Sequence, residues 1–153
     1  MARVRDDWAL AEFDGRPLYE HSDPLRAAHP DWGTLEFDYG RKEVRQFIRD
    51  NALMWMEEYH VDGLRFDMSL FMRNVRGNGD PGADLPDGWG LIQWINREVR
   101  QRYPGRITIA EDLQNDDRLT KPVHLGGAGF TAQWGDRFVH PVRTAVITPD
   151  DAQ

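Results

Sequence analysis

The stretch YHVDGLRFD, residues 59–67, constrains the fold more than any other. Val61 and Leu64 are apolar and Phe66 is a good strand former, while Arg65 and Asp67 alternate with them. In an extended chain this spacing sends Arg65 and Asp67 to one face, where opposite charges two residues apart can interact. If the strand belongs to a set of parallel strands, its carboxyl end faces an active-site mouth. An ordinary solvated Arg and Asp at a strand end would read the same way on these nine residues alone.

The flanking pattern favours parallel strands. Val44, Phe47, Ile48, Ala52, Trp55, Met56 and Tyr59 recur at helical spacing, predicting a helix over 42–59 with a wide buried face that runs into a strand at 61–67. A Gly-, Asn-, Asp- and Pro-rich loop follows at 77–88. A second helix is expected after Asp87, a plausible N-cap, with Leu91, Ile95 and Val99 on one stripe and Pro104-Gly105 as its stop. Ile107 to Ala110 reads as a second strand, leading into Glu111 and Asp112. A polar connection over 114–121 precedes a third short strand over 126–134, and another helix is expected over 138–147. This is an α/β alternation, which predicts a parallel sheet or barrel. Residues 1–40, rich in Asp, Pro, His and Gly, show no sustained period and read as a long irregular region leading into the domain.

Composition narrows the partners. With 153 residues and a formal net charge of -7, the chain has the length of one domain and lacks the basic excess that nucleic acid or an anionic membrane would reward. No run of about 18 apolar residues predicts a membrane span. The absence of cysteine excludes disulfides and thiolate ligands and fits a cytoplasmic location. Six Trp, four Tyr and seven Phe suit either sugar stacking or core packing.

The first strand ends in Asp67 and the second in Glu111, so adjacent parallel strands would carry both carboxyls to one sheet edge. Retaining glycoside chemistry needs a carboxylate nucleophile and a protonated acid roughly 5 to 5.5 Å apart. On that reading Asp67, beside the Arg65 guanidinium, is the ionised nucleophile and Glu111 the acid/base. Acids at strand ends and structural Asp-Arg pairs are common in α/β proteins, so both readings stay open on spacing alone.

DGLRFD (62–67) and IAED (109–112) resemble the second and third conserved regions of the α-amylase clan of glycoside hydrolases. The resemblance implies that Asp67 is the nucleophile, that Arg65 orients it, and that Glu111 is the general acid/base. The segments LYEHSDP (18–24), HPDWGT (29–34), FDYGRKEVRQF (37–47) and KPVHLGGAGFTAQW (121–134) resemble bacterial 1,4-α-glucan branching enzymes and the related trehalohydrolases. It implies a fragment of a TIM (β/α)8 barrel, about strands four to six with their helices, with residues 1–153 as a single partial catalytic domain. Trp134 would lie near the mouth on the sixth strand. The implied partner is an α-1,4-glucan such as starch, glycogen or a maltooligosaccharide, with no cofactor. The Asn-His pair of the family's first region is expected upstream of Met1, and the His-Asp of its fourth beyond Gln153. Met68 stands where the family usually has Ala, and Phe71 where many amylases place a basic or polar substrate contact. An incomplete barrel exposes sheet edges and interior, so this chain alone is expected to be marginally stable and to have little glycosidase activity.

Three functions remain: a transglycosylase passing an α-1,4-glucan from Asp67 to a sugar 6-hydroxyl, a hydrolase of the same clan using water, and a non-catalytic or vestigial glucan-binding piece. Trp32, Trp89 and Trp134 are candidates for stacking on glucose, whereas Trp55 and Trp94 are expected in the core. His60 is expected to be a hydrogen-bonded structural residue. His21, His29, His124 and His140 lack close ligand spacing, so no zinc site is expected. The 77–88 loop, with Asn78, Asp80 and Asp84, lacks the EF-hand pattern and reads as a plain loop.

Overall fold

The computed structural model describes residues 2–4, 15–23, 27–29 and 33–148, with side chains left out at 2–4 and 29. Its centre is a three-stranded parallel sheet in the order β4-β5-β6, formed by β4 (Gly63–Phe66), β5 (Ile107–Ala110) and β6 (Ala132–Gln133). Gly63 pairs with Ile107 and Phe66 with Ala110, and Ile109 pairs with Ala132. Gly63 lets the strands close, because a Cβ there would lie 2.5 Å from Ile107 Cγ1. An antiparallel sheet ordered β1-β3-β2 forms from β1 (Ala2–Val4), β2 (Ala28–His29) and β3 (Thr34–Glu36), inside the region read from sequence as irregular.

Helix α1 (Lys42–Glu57) buries Val44, Ile48, Ala52, Leu53 and Met56. The face is narrower than its sequence suggests. Phe47, Trp55 and Tyr59 stand at its margin and are exposed; Trp55 packs on Tyr59 with centroids 4.6 Å apart, and Phe47 on Tyr19 at 5.1 Å. The expected core position of Trp55 is therefore corrected. Beyond the helix, His60 is an exposed residue at φ +54° in the turn before β4.

After β4 the chain reverses at Met68 and forms the short helix α2 (Ser69–Arg73). Helix α3 (Pro86–Arg102) begins with Pro at its first position, where the missing N–H costs nothing. Asp87 is thus not the N-cap: Leu85 holds that place without a side-chain bond, and Asp87 lies in the first turn, where its charge suits the helix dipole. Leu91, Ile92, Ile95 and Val99 are fully or almost fully buried against α1 and the sheet.

The start of α3 touches the backbone of α2. A Cβ on Gly88 would sit 1.6 Å from the Met72 carbonyl oxygen, a clash that no side-chain rotation relieves. Gly88→Ala is therefore expected to cost about 3 kcal/mol or more of stability. Denaturant unfolding of the complete gene product would measure it, and an unchanged midpoint would contradict this packing.

The third strand is much shorter than the glycine-led segment 126–134 suggests. Before reaching β6 the chain pairs with the preceding connection: the N–H groups of Ala128, Gly129 and Phe130 donate to the carbonyls of Arg118, Lys121 and Leu119. Gly126 and Gly129 take positive φ to follow that path. Helix α4 (Asp136–Ile147) then leaves the sheet, contains Pro141 and buries no residue; Phe138 and Val146 are 74% and 78% exposed. Among the described residues, β4 and β6 each keep one unpaired edge.

Candidate active site

The parallel register places Asp67, Glu111 and Trp134 each one residue past the carboxyl end of its strand. Three adjacent strands thus deliver three side chains to one edge of the sheet, and Arg65 joins them. Its Nη2 lies 2.9 Å from Asp67 Oδ1 and 2.7 Å from Glu111 Oε2. Because both carboxylate oxygens contact the same nitrogen, their separation is at most the sum of those contacts, a limit compatible with the roughly 5 to 5.5 Å of a retaining pair. The guanidinium carbon also sits 4.3 Å from the centroid of the Trp134 ring, a cation-π contact. Trp134 remains 44% exposed.

Arg65 does more than the Asp67 pairing read from sequence. The Glu111 hydrogen bond, aided by the charges of Glu111 and Asp67 and opposed by partial burial, raises the guanidinium above its usual value. The two acids differ in setting. The Asp67 side chain is 66% exposed, whereas that of Glu111 is only 14% exposed. Glu111 Oε2 accepts a second hydrogen bond from the Met68 N–H at 2.9 Å. Met68 reaches that position at φ +42°, a left-handed conformation uncommon for a residue with a side chain. Both hydrogen bonds fall on Oε2.

Behind the acids lies a buried charge network that sequence reading missed. Arg73, the last residue of α2, is fully buried and grips Asp112 through Nε at 2.7 Å and Nη2 at 2.9 Å. Its Nη1 donates to Asp84 at 3.1 Å, and Nη2 stands 3.4 Å from Asp116. Arg118 closes the network onto Asp116 at 2.6 Å and Asp84 at 2.7 Å. Burial pushes the Asp116 carboxyl up, but the Arg118 hydrogen bonds and the Arg73 charge outweigh it and hold the group below the usual aspartate range. The only signal in the sequence was Asp112 within the quoted IAED.

This network also occupies the acids of the 77–88 loop: Asp84 serves the two arginines, and Asp80 caps the turn at Pro81–Ala83 and pairs with Arg76. Among the described residues, no group of three or more His, Asp or Glu stands in metal-binding arrangement. The stacking candidates separate as well. Trp89 lies against the network, its ring 5.1 Å from the Arg118 guanidinium and 5.9 Å from that of Arg73. Trp94 packs at the core with Arg49 over its ring, as expected for a helix residue. Trp32 lies outside the described residues. Of the two described candidates, Trp134 is the one brought to the two acids. Phe71 lies against Gly77, whose Cβ would meet the ring at 2.6 Å.

Fold and site together define a parallel α/β segment that presents an Asp, a Glu and a bridging Arg at adjacent strand ends. No family model matches the chain. Over 145 residues, 89% of its length, it is 53% identical to the 1,4-alpha-glucan branching enzyme GlgB of Kitasatospora aureofaciens, of which that stretch is 19%. It is 52% identical over 145 residues to 1,4-alpha-glucan branching enzyme GlgB 2 of Streptomyces avermitilis, covering 24% of that protein. To the 1,4-alpha-glucan branching enzyme GlgB of Thiobacillus denitrificans it is 46% identical over 139 residues, 85% of this chain and 19% of the relative. The chain spans about a fifth to a quarter of these curated relatives. Among the described residues no helix is long and apolar enough to cross a membrane.

Proposed function

We propose that this chain is the segment of a 1,4-α-glucan branching enzyme that carries the nucleophile and the acid/base, in a (β/α)8 barrel completed by the rest of a longer polypeptide. The observation that carries the reading is the single Arg65 nitrogen shared by Asp67 and Glu111 at the ends of paired parallel strands. Identity to branching enzymes along 89% of the chain supports the same assignment. Asp67 attacks the anomeric carbon of an α-1,4-linked glucose while Glu111 gives its proton to the departing 4-oxygen, leaving a covalent glycosyl ester on Asp67. Glu111, now a carboxylate, takes the proton of an acceptor 6-hydroxyl, which displaces Asp67 and forms the α-1,6 branch. Arg65 orients the Asp67 carboxylate through their 2.9 Å ion pair, and Trp134 offers the ring face away from Arg65 to a glucose unit. The partner is thus an α-1,4-glucan, in a cytoplasmic, glycogen-building role.

Incubation of the complete gene product with amylose tests this directly. The iodine stain is expected to fall with little rise in reducing ends. A rise in reducing ends that keeps pace with the loss of stain would mean that water is the acceptor and would replace branching by hydrolysis.

A further inference from the structure

We propose that Arg73 is a positioning residue for the acid/base: its buried two-point grip on Asp112 fixes where Glu111 stands relative to Asp67. The proposal rests on the reading of Asp67 and Glu111 as the catalytic pair. Asp67 leads into the turn and helix that end at Arg73, and Glu111 immediately precedes Asp112. The same short segment holds Glu111 through three hydrogen bonds, one to its carboxylate and two to its carbonyl. The Met68 N–H donates to its carboxylate, and the Ser69 N–H and hydroxyl donate to its carbonyl at 3.0 and 3.1 Å. The Arg73 fork on Asp112 is the buried anchor of that segment.

Stability alone does not account for this anchor. A buried ion pair is often replaced by apolar side chains with no loss, because desolvating both charges offsets their attraction. What a guanidinium supplies uniquely is direction. Two parallel N–H···O bonds fix both the distance and the plane of the carboxylate, whereas an ammonium at the same place keeps the charge and loses the plane. Released from the fork, Asp112 can rotate. Glu111, one residue before it on the same turn of backbone, then shifts relative to the nucleophile.

Arg73→Lys in the complete gene product tests the geometry at constant charge. The kcat for branching is expected to fall about 10- to 100-fold, since a misplacement of about 1 Å costs that order, with KM changed by less than about threefold. The limb of the pH-rate profile that reports Glu111 is expected to move. In a Glu111→Gln background the same substitution should have little further effect, because the two residues act as one unit. Arg49→Lys is the structural comparator: it disturbs the 2.5 Å Arg49–Glu98 pair between α1 and α3 and should leave kcat and the pH profile unchanged. Should Arg73→Lys fail to fold, Asp112→Asn weakens the fork from the other side and is read by the same measurements. Wild-type kcat and pH profile in the folded variant, together with an inactive Asp67→Asn, would overturn the positioning role alone. An active Asp67→Asn would instead overturn the catalytic reading on which it rests.

Discussion

Replacing Asp67 with Asn in the complete gene product is expected to lower kcat on amylose by about 10⁴-fold or more, because the amide cannot form the glycosyl ester through which the chain is passed on. The substitution preserves shape and leaves an oxygen for Arg65. The side chain is two-thirds exposed, so stability should stay within about 0.5 kcal/mol of wild type. The combination separates chemistry from folding. Loss of turnover with an unchanged unfolding midpoint identifies Asp67 as the group that reacts. Retained turnover would leave the Asp67–Arg65 pair a structural one, the alternative that spacing alone leaves open.

Glu111→Gln is expected to show a different pattern. Gln keeps an oxygen for Arg65 and for the Met68 N–H, but cannot deliver a proton to the departing oxygen. General acid catalysis is worth about 10²- to 10⁴-fold, and turnover of amylose should fall within that range. An α-maltosyl fluoride donor escapes the first part of the loss, since fluoride leaves without protonation. The covalent intermediate should therefore form at near wild-type rate and then persist, because no base remains to activate the acceptor. Asp67→Asn, in contrast, should be inactive on both donors. A burst of fluoride release slowed, relative to wild type, as much as amylose turnover would contradict an acid/base role.

How much of this was legible in the sequence depended on whether the signal was local. Alternation in LRFD and the β-branched run at Ile107 to Ala110 are local, and both strands form where they predict, though β4 is only the four residues Gly63–Phe66. The convergence of Asp67 and Glu111 followed from strand order and from the resemblance. The bridging role of Arg65 did not follow, because i and i+2 spacing reports the contact to Asp67 and says nothing of a neighbouring strand. Arg73 was the largest omission. A buried arginine has no periodic signature, and its partners at 84, 112 and 116 are scattered along the chain. The length of β6 was misread because a glycine-led apolar run carries no information about whether its backbone pairs with a strand or, as at Ala128 to Phe130, with the loop before it. Asp87 shows the limit of capping rules: the helix starts at Pro86, two residues earlier than a cap at Asp87 requires, and leaves no N-cap role for the side chain.

The most direct measurement is to treat Glu111→Gln of the complete gene product with α-maltosyl fluoride, quench it, and map the adduct by peptide mass spectrometry. The prediction is a peptide heavier by one maltosyl group, with the sugar esterified to Asp67. An adduct on any other carboxylate would contradict the assignment of Asp67 as nucleophile and Glu111 as its acid/base partner. So would turnover of the fluoride without a trappable adduct.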